Sequence, residues 1–297
     1  MQSLWMLAAA ALFSLVAAFV KLAIDAHSAW EILFWRNAVG LAVLLPMALR
    51  RMGGLRALVV TPHWRGHLAR NASGTTAVLL WFATTAHLPL ATALTLNYTS
   101  SLFLAALLVG GAWRAGRRGP GRRMLAALLI GFAGIVCVLR PTLAPEQWLW
   151  GAAGLASGLL GAGALLSLRT LGQLGEPSTR TVFYFSLSGA AAGAAGMLAF
   201  GAHWPDARHL GYLLAVGGLA LVAQLALTHA YGRGKPLLAA TLGYSTIVFG
   251  SGWGWLVWGD VTPAQAWIGI GLIAGAGAWA TLLTAQATAD PAAAARR

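Results

Sequence analysis

Two near-identical stretches hold the side chains best placed to handle a small molecule. Thr95-Leu96-Asn97-Tyr98-Thr99 returns as Thr241-Leu242-Gly243-Tyr244-Ser245, with a phenylalanine four residues beyond each copy, Phe103 and Phe249. In a helix Thr95, Tyr98 and Thr99 fall at i, i+3 and i+4 and share a face, and Thr241, Tyr244 and Ser245 repeat it. Hydroxyls and phenols in that pattern suit recognition of a solute rather than covalent chemistry. The plainer alternative is that the hydroxyls bond to their own or a neighbouring helix. Trp81, with Thr84 and Thr85, forms a comparable face whose indole would take apolar or cationic groups through burial and cation–π contact. Gln224 shares a face with Thr228 and offers an amide to an amino or carboxylate group. These residues (Tyr98, Tyr244, Trp81, Thr95, Thr99, Thr241, Ser245 and Gln224) are the candidate substrate-binding set.

Arg36 and His229 are the gating or coupling candidates. Arg36 stands well inside an apolar run, as a carboxylate-binding or gating charge; otherwise it pairs with Glu31 or snorkels to the interface. His229, near a helix end, either moves protons or simply packs. No Asp or Glu falls in the middle of an apolar run, so export down a gradient and coupling through His229 or a boundary carboxylate both stay open. No Ser-His-Asp order, zinc-ligand spacing or phosphate loop stands out, and Gly232-Arg233-Gly234-Lys235 lacks the Walker spacing. The one cysteine, Cys137, reads as a packed side chain. Neither a cofactor nor a metal is expected.

The elements that must position these residues are membrane helices. Hydrophobic residues make up 59% of the 297 and charged ones 9%, far below the quarter or so of a soluble globule. The net charge of +13 sits in short clusters between apolar runs, so its partner is lipid rather than nucleic acid. Runs long enough to span fall at about 4–22, 30–49, 66–87, 90–112, 123–140, 147–168, 179–201, 209–231, 236–258 and 263–285. Their continuity excludes a β-barrel. Sixteen basic residues, including Arg50, Arg51, Arg65, Arg70, Arg114, Arg180 and Arg233, flank one side, against Lys21, Arg140 and Arg208 on the other. The positive-inside rule then places both termini in the cytoplasm. Trp5, Trp64 and Trp113 fall at inner boundaries, and Trp30, Trp148, Trp150, Trp204, Trp258 and Trp267 at outer ones. Trp253, Trp255 and Trp279 lie within runs and are weaker lining candidates. Glycines such as Gly131, Gly134, Gly269, Gly271, Gly275 and Gly277 suit close helix packing; Gly243, Gly250 and Gly252 would ease motion or pack. In this topology the two copies enter from opposite sides. Tyr98 and Tyr244 each reach roughly 12 Å deep, near the middle of a core about 30 Å thick. That is the arrangement of an inverted repeat around a midplane site.

Phe34-Trp35-Arg36-Asn37, then His87-Leu88-Pro89-Leu90-Ala91-Thr92-Ala93 and Gly259-Asp260-Val261-Thr262 before a glycine-rich last helix, resemble the drug/metabolite transporter superfamily, specifically its EamA-type ten-helix members. Asp260 stands where a Glu is more usual, and Gly110-Gly111-Ala112-Trp113 lacks the acid some members carry there. The resemblance implies an all-α membrane fold of two inverted five-helix repeats, 1–141 and 142–288, with a cytoplasmic tail at 289–297. It also implies a bacterial inner-membrane exporter of small metabolites, a monomer or homodimer, with YddG-type amino-acid exporters as the comparison. A largely uncharged, aromatic, hydroxyl-rich centre points to neutral or aromatic amino acids. Nucleosides or cationic drugs are the alternative within the class. Outside it stand a channel and an integral-membrane lipid-modifying enzyme, for which the scattered acids and histidines offer no cluster.

Overall fold

The computed structural model describes residues 5–114, 123, 126–127, 129–131, 133–134, 137, 147–233, 239, 242–243, 245–261 and 263–289. Among them every regular element is a helix: α1 Trp5–Ala23, α2 Ala29–Met52, α3 Leu55–Val59, α4 Trp64–His87, α5 Leu90–Tyr98, α6 Ser100–Arg114, α7 Trp148–Gln173, α8 Ser178–Phe200, α9 Ala207–Arg233, α10 Ser245–Trp258 and α11 Ala264–Ala289. Of these, α1, α2, α7, α8 and α9 are long and apolar enough to cross a membrane. With 24 residues, α4 is as long as α2, but Arg65, His67 and Arg70 crowd its first two turns. The short α3 was not expected from hydropathy; it lies in the connection between α2 and α4.

The run expected as one helix over 90–112 is divided. The backbone tightens at Thr99, whose N–H is shared between the Thr95 and Leu96 carbonyls, while Thr99 accepts from Leu102 N–H at 2.9 Å. A short i+3 step of this kind interrupts an α-helix without reversing it. Its cause is on another helix. A Cβ on Gly158 of α7 would overlap Thr99 Oγ1 and lie 2.7 Å from the Leu96 carbonyl, so α7 presses directly on the irregular turn. Ser157, its neighbour, accepts from Asn97 Nδ2 at 2.8 Å and donates to the Ala77 carbonyl at 2.8 Å.

Small residues set the other close approaches. A Cβ on Gly193 of α8 would come within 2.5 Å of Phe34 N, and ones on Gly189 and Gly196 would strike Asn37 and Trp30, so α8 packs on α2 through a glycine stripe. A Cβ on Gly134 would lie 2.9 Å from the Gly269 carbonyl, and one on Gly131 would strike Leu102, as close packing requires. Gly250 makes room for Leu94. A Cβ on Gly271, Gly275 or Gly252, in contrast, would meet none of the described residues within 4 Å. The most extensive pairings are α4 with α7, α1 with α9 and α2 with α8, followed by α2 with α9 and α1 with α10.

Each end of the bundle is tied by polar contacts. At one end Lys21 donates to Asp260 at 3.0 Å, and its ammonium lies 4.7 Å from the centre of the Trp258 ring. Glu31 closes a capping box with Ser28 and also accepts the His203 N–H at 2.7 Å. The alternative of an Arg36–Glu31 pair is not realised: Glu31 is held by Ser28, His27 and His203. At the other end Glu176 accepts from Thr61 and, at 2.7 Å, from Arg180, with His67 at 3.6 Å. Arg180 also donates to the Ala57 and Leu58 carbonyls, and Tyr184 to Val59, which pins α3 to α8. Burial of Glu176 opposes its charge, but the Thr61 and Arg180 hydrogen bonds and Arg180's charge outweigh burial and hold the carboxyl below its usual range. Trp5, Trp64, Trp148, Trp204 and Trp267 are all exposed, consistent with interfacial positions. Trp255, 68% exposed, points out of the bundle and lines no interior site.

Candidate functional site

The interior holds a cavity walled by both halves of the chain. Met6, Phe13 and Val16 of α1, Arg36 of α2, Arg70, Gly74, Ala77, Val78 and Trp81 of α4, and Leu94, Asn97 and Tyr98 of α5 form part of it. Ser100 and Ser101 of α6, Gly161, Ala164, Leu165 and Leu168 of α7, Phe185 of α8, and Gln224, Leu227 and Tyr231 of α9 complete the lining. Of the expected substrate-binding residues, Trp81, Tyr98 and Gln224 meet here, and Arg36 joins them. Thr241 and Tyr244 lie outside the described residues.

The two repeated segments do come together. Tyr98 OH accepts a hydrogen bond from Thr246 Oγ1 at 2.8 Å, and a Cβ on Gly243 would lie 3.4 Å from the Tyr98 ring. Both copies make the same internal bond: Thr99 Oγ1 donates to the Leu96 carbonyl and Ser245 Oγ to the Leu242 carbonyl, each at 2.6 Å. Thr95 Oγ1 does likewise to Ala91 at 2.7 Å, and Thr84 and Thr85 to Leu80 and Trp81 at 2.8 Å. These hydroxyls satisfy their own helices and brace the turn, as the alternative reading of the sequence allowed. None of Thr95, Thr99 and Ser245 lines the cavity.

Trp81 is 8% exposed, and its indole N–H has no hydrogen-bond partner among the described residues. His229 packs edge-on against Trp5, with ring centres 6.2 Å apart, and is outside the cavity lining.

One cavity residue was misplaced by sequence reasoning. Arg70 counts among the boundary cations, yet it is 4% exposed and its Nε and Nη1 find no hydrogen-bond partner among the described residues. Arg36, 6% exposed, donates weakly to Asn37 Oδ1 at 3.3 Å. The two guanidinium carbons lie 5.4 Å (Arg36) and 4.2 Å (Arg70) from the centre of the Phe185 ring. The cavity thus holds Arg70 beside the expected Arg36, a more cationic centre than the largely uncharged one expected. Among the described residues no group of His, Cys, Asp or Glu is arranged to hold a metal.

Comparison with known proteins places this geometry. Residues 1–140 match the model of the EamA-like transporter family. The pseudopaline exporter CntI of Pseudomonas aeruginosa (strain UCBPP-PA14) is 31% identical over 258 residues, which cover 85% of this chain and 86% of its own. A riboflavin transporter of Rhizobium johnstonii is 31% identical over 281 residues, 91% of this chain and 87% of its own. One solved crystal structure, 22% identical, shares the fold with a TM-score of 0.71 over 96% of this chain and 97% of that one.

Proposed function

The chain belongs to the EamA-like transporter family, and from that premise we propose that it exports a small metabolite by alternating access around the Trp81–Tyr98–Gln224 cavity. It is a membrane transporter rather than an enzyme. The observation that carries the reading is the contact between the repeated segments, Tyr98 with Thr246 and Gly243, on the wall of an interior cavity. Duplicated segments meeting at mid-bundle are where an inverted-repeat carrier holds its solute.

The packing supports the repeat. Exchanging each helix for its counterpart in the other half turns the α1–α9 pair into α7–α4, and α2–α9 into α8–α4; both pairs of contacts exist. Two five-helix units, 1–141 and 142–288, account for that symmetry. The clustered arginines at the Glu176 end favour its placement in the cytoplasm, with both termini there and the protein in a bacterial inner membrane.

Neutral or aromatic amino acids were the expected cargo. The relatives described above are named for pseudopaline and riboflavin, so that expectation rests on Trp81 and Tyr98 alone. Efflux from preloaded proteoliposomes, with and without an imposed pH gradient, tests the transport reading. Saturable flux is expected, and Tyr98→Ala and Tyr244→Ala should each lower it roughly tenfold at unchanged membrane abundance. Normal flux in both variants would remove the central site; strong accumulation driven by the pH gradient would replace downhill export with proton coupling through groups such as His229.

A further inference from the structure

We infer that Arg36 and Arg70 form an oxyanion-binding subsite and that the transported solute is a small dianion with an apolar body. The proposal rests on the transporter reading for the word "transported", and on the cavity alone for the word "binding".

A buried guanidinium in a membrane is costly unless it is paired. No carboxylate among the described residues pairs with either arginine. Glu31 is engaged by Ser28, His27 and His203, Glu176 by Thr61 and Arg180, Asp206 by His209, and Asp260 by Lys21. The Phe185 ring offsets part of the charge by cation–π contact, but it cannot accept the in-plane N–H groups. Arg70 Nε and Nη1 remain unpartnered among the described residues, so each bidentate edge of the guanidinium, Nε with Nη2 and Nη1 with Nη2, keeps a donor for a carboxylate or phosphate.

The direction of the Arg70 side chain argues against a boundary anchor. Arg70 lies under two turns from the start of α4, and a snorkelling arginine there would reach back towards that end. Instead its Nη1 lies over Gly74, one turn deeper in the bundle. A Cβ on Gly74 would overlap that nitrogen, and would lie 3.2 Å from the Phe185 ring. The glycine is a cradle that lets the charge point inward. Since both guanidinium carbons lie against one ring, they are no more than about 10 Å apart, and one small molecule can engage both. Trp81 and Tyr98 supply the surface for its apolar part.

The test holds the body constant and changes the head. Binding of phenylsuccinate, phenyl phosphate, phenylalanine and tetraphenylphosphonium to the purified full-length protein is measured by equilibrium dialysis, and counterflow of the same probes is measured in proteoliposomes. At least one dianion is expected to bind about tenfold or more tighter than phenylalanine, and tetraphenylphosphonium not at all; the better dianion tells carboxylate from phosphate. Arg70→Gln and Arg36→Gln should each weaken dianion binding at least about 30-fold, as loss of a buried charge partner does. Gly74→Val should weaken it as well by displacing the guanidinium, and Arg70→Lys should weaken it less than Arg70→Gln.

A second readout separates binding from architecture. Because no carboxylate among the described residues pairs with Arg70, ligand-free Arg70→Gln should unfold at the wild-type temperature or above it. A clearly lower unfolding temperature for that variant would overturn the subsite, as would tighter binding of phenylalanine, or dianion binding indifferent to Arg70. Binding of a dianion without counterflow would instead remove the transport reading and leave the subsite standing. Saturable counterflow of phenylalanine together with dianion binding indifferent to Arg70→Gln would do the reverse.

Discussion

Tyr98 joins the two halves of the chain through one phenolic oxygen, so its hydroxyl and its ring can be tested apart. Tyr98→Phe keeps the ring on the cavity wall and removes the acceptor for the fully buried Thr246 hydroxyl. The expected loss is about 1 kcal/mol of stability, seen as a small drop in thermal midpoint, with flux reduced less than in Tyr98→Ala. An unchanged midpoint would mean that Thr246 finds another acceptor on its own helix. The importance of Tyr98 was legible because duplication marked it in the sequence. Arg70 carried no such mark. It stood among boundary cations, and its burial depends on Gly74 one turn along and Phe185 on a distant helix. No spacing rule links those three residues.

At the scale of helices, the contact between α2 and α8 is set by backbone proximity rather than by side-chain volume. Gly193→Leu should therefore lower the thermal midpoint and the yield of folded protein, at a cost of about 1–3 kcal/mol or more from overpacking. Gly211→Leu, at a position where a Cβ meets nothing, should leave both unchanged. Thermal unfolding of the two purified variants distinguishes this from a general intolerance of glycine substitution. Hydropathy sufficed to locate the membrane-length helices, because their apolar runs answer to lipid whatever their neighbours are. It missed the interruption at Thr99. That turn is shaped by Gly158 and Ser157 pressing from α7, a tertiary cause absent from the local sequence. Trp255 shows the same blindness in reverse: a tryptophan in mid-run resembles a cavity wall until the fold turns it outward.

Across the whole molecule, a carrier that opens to each side in turn must loosen the Lys21–Asp260 tie at one end and the Glu176 cluster at the other. The second of these responds to acid. Glu176 has its carboxyl held below the ordinary value of 4.5, so its contribution to stability is complete above that value and is lost as pH falls through the lower folded value. Thermal midpoints measured from pH 7 down to pH 3.5 should fall steeply below about pH 4.5 in the wild type. They should start lower and change less in Glu176→Gln, and parallel curves would show that the cluster is not the acid-sensitive tie. The Arg36–Arg70 pair bears on the membrane voltage. With a dianion aboard, the pair's charge is cancelled and the loaded carrier crosses the field without doing electrical work. Empty, it takes two positive charges across, each worth about 2.3 kcal/mol per 100 mV. An inside-negative potential then draws the emptied carrier back towards the cytoplasm. Dianion efflux from vesicles of uniform orientation should quicken as that potential is raised, and indifference to it would place the moving charge elsewhere. Two cations that no described carboxylate pairs would thus make the resting voltage of the cell the force that resets the carrier.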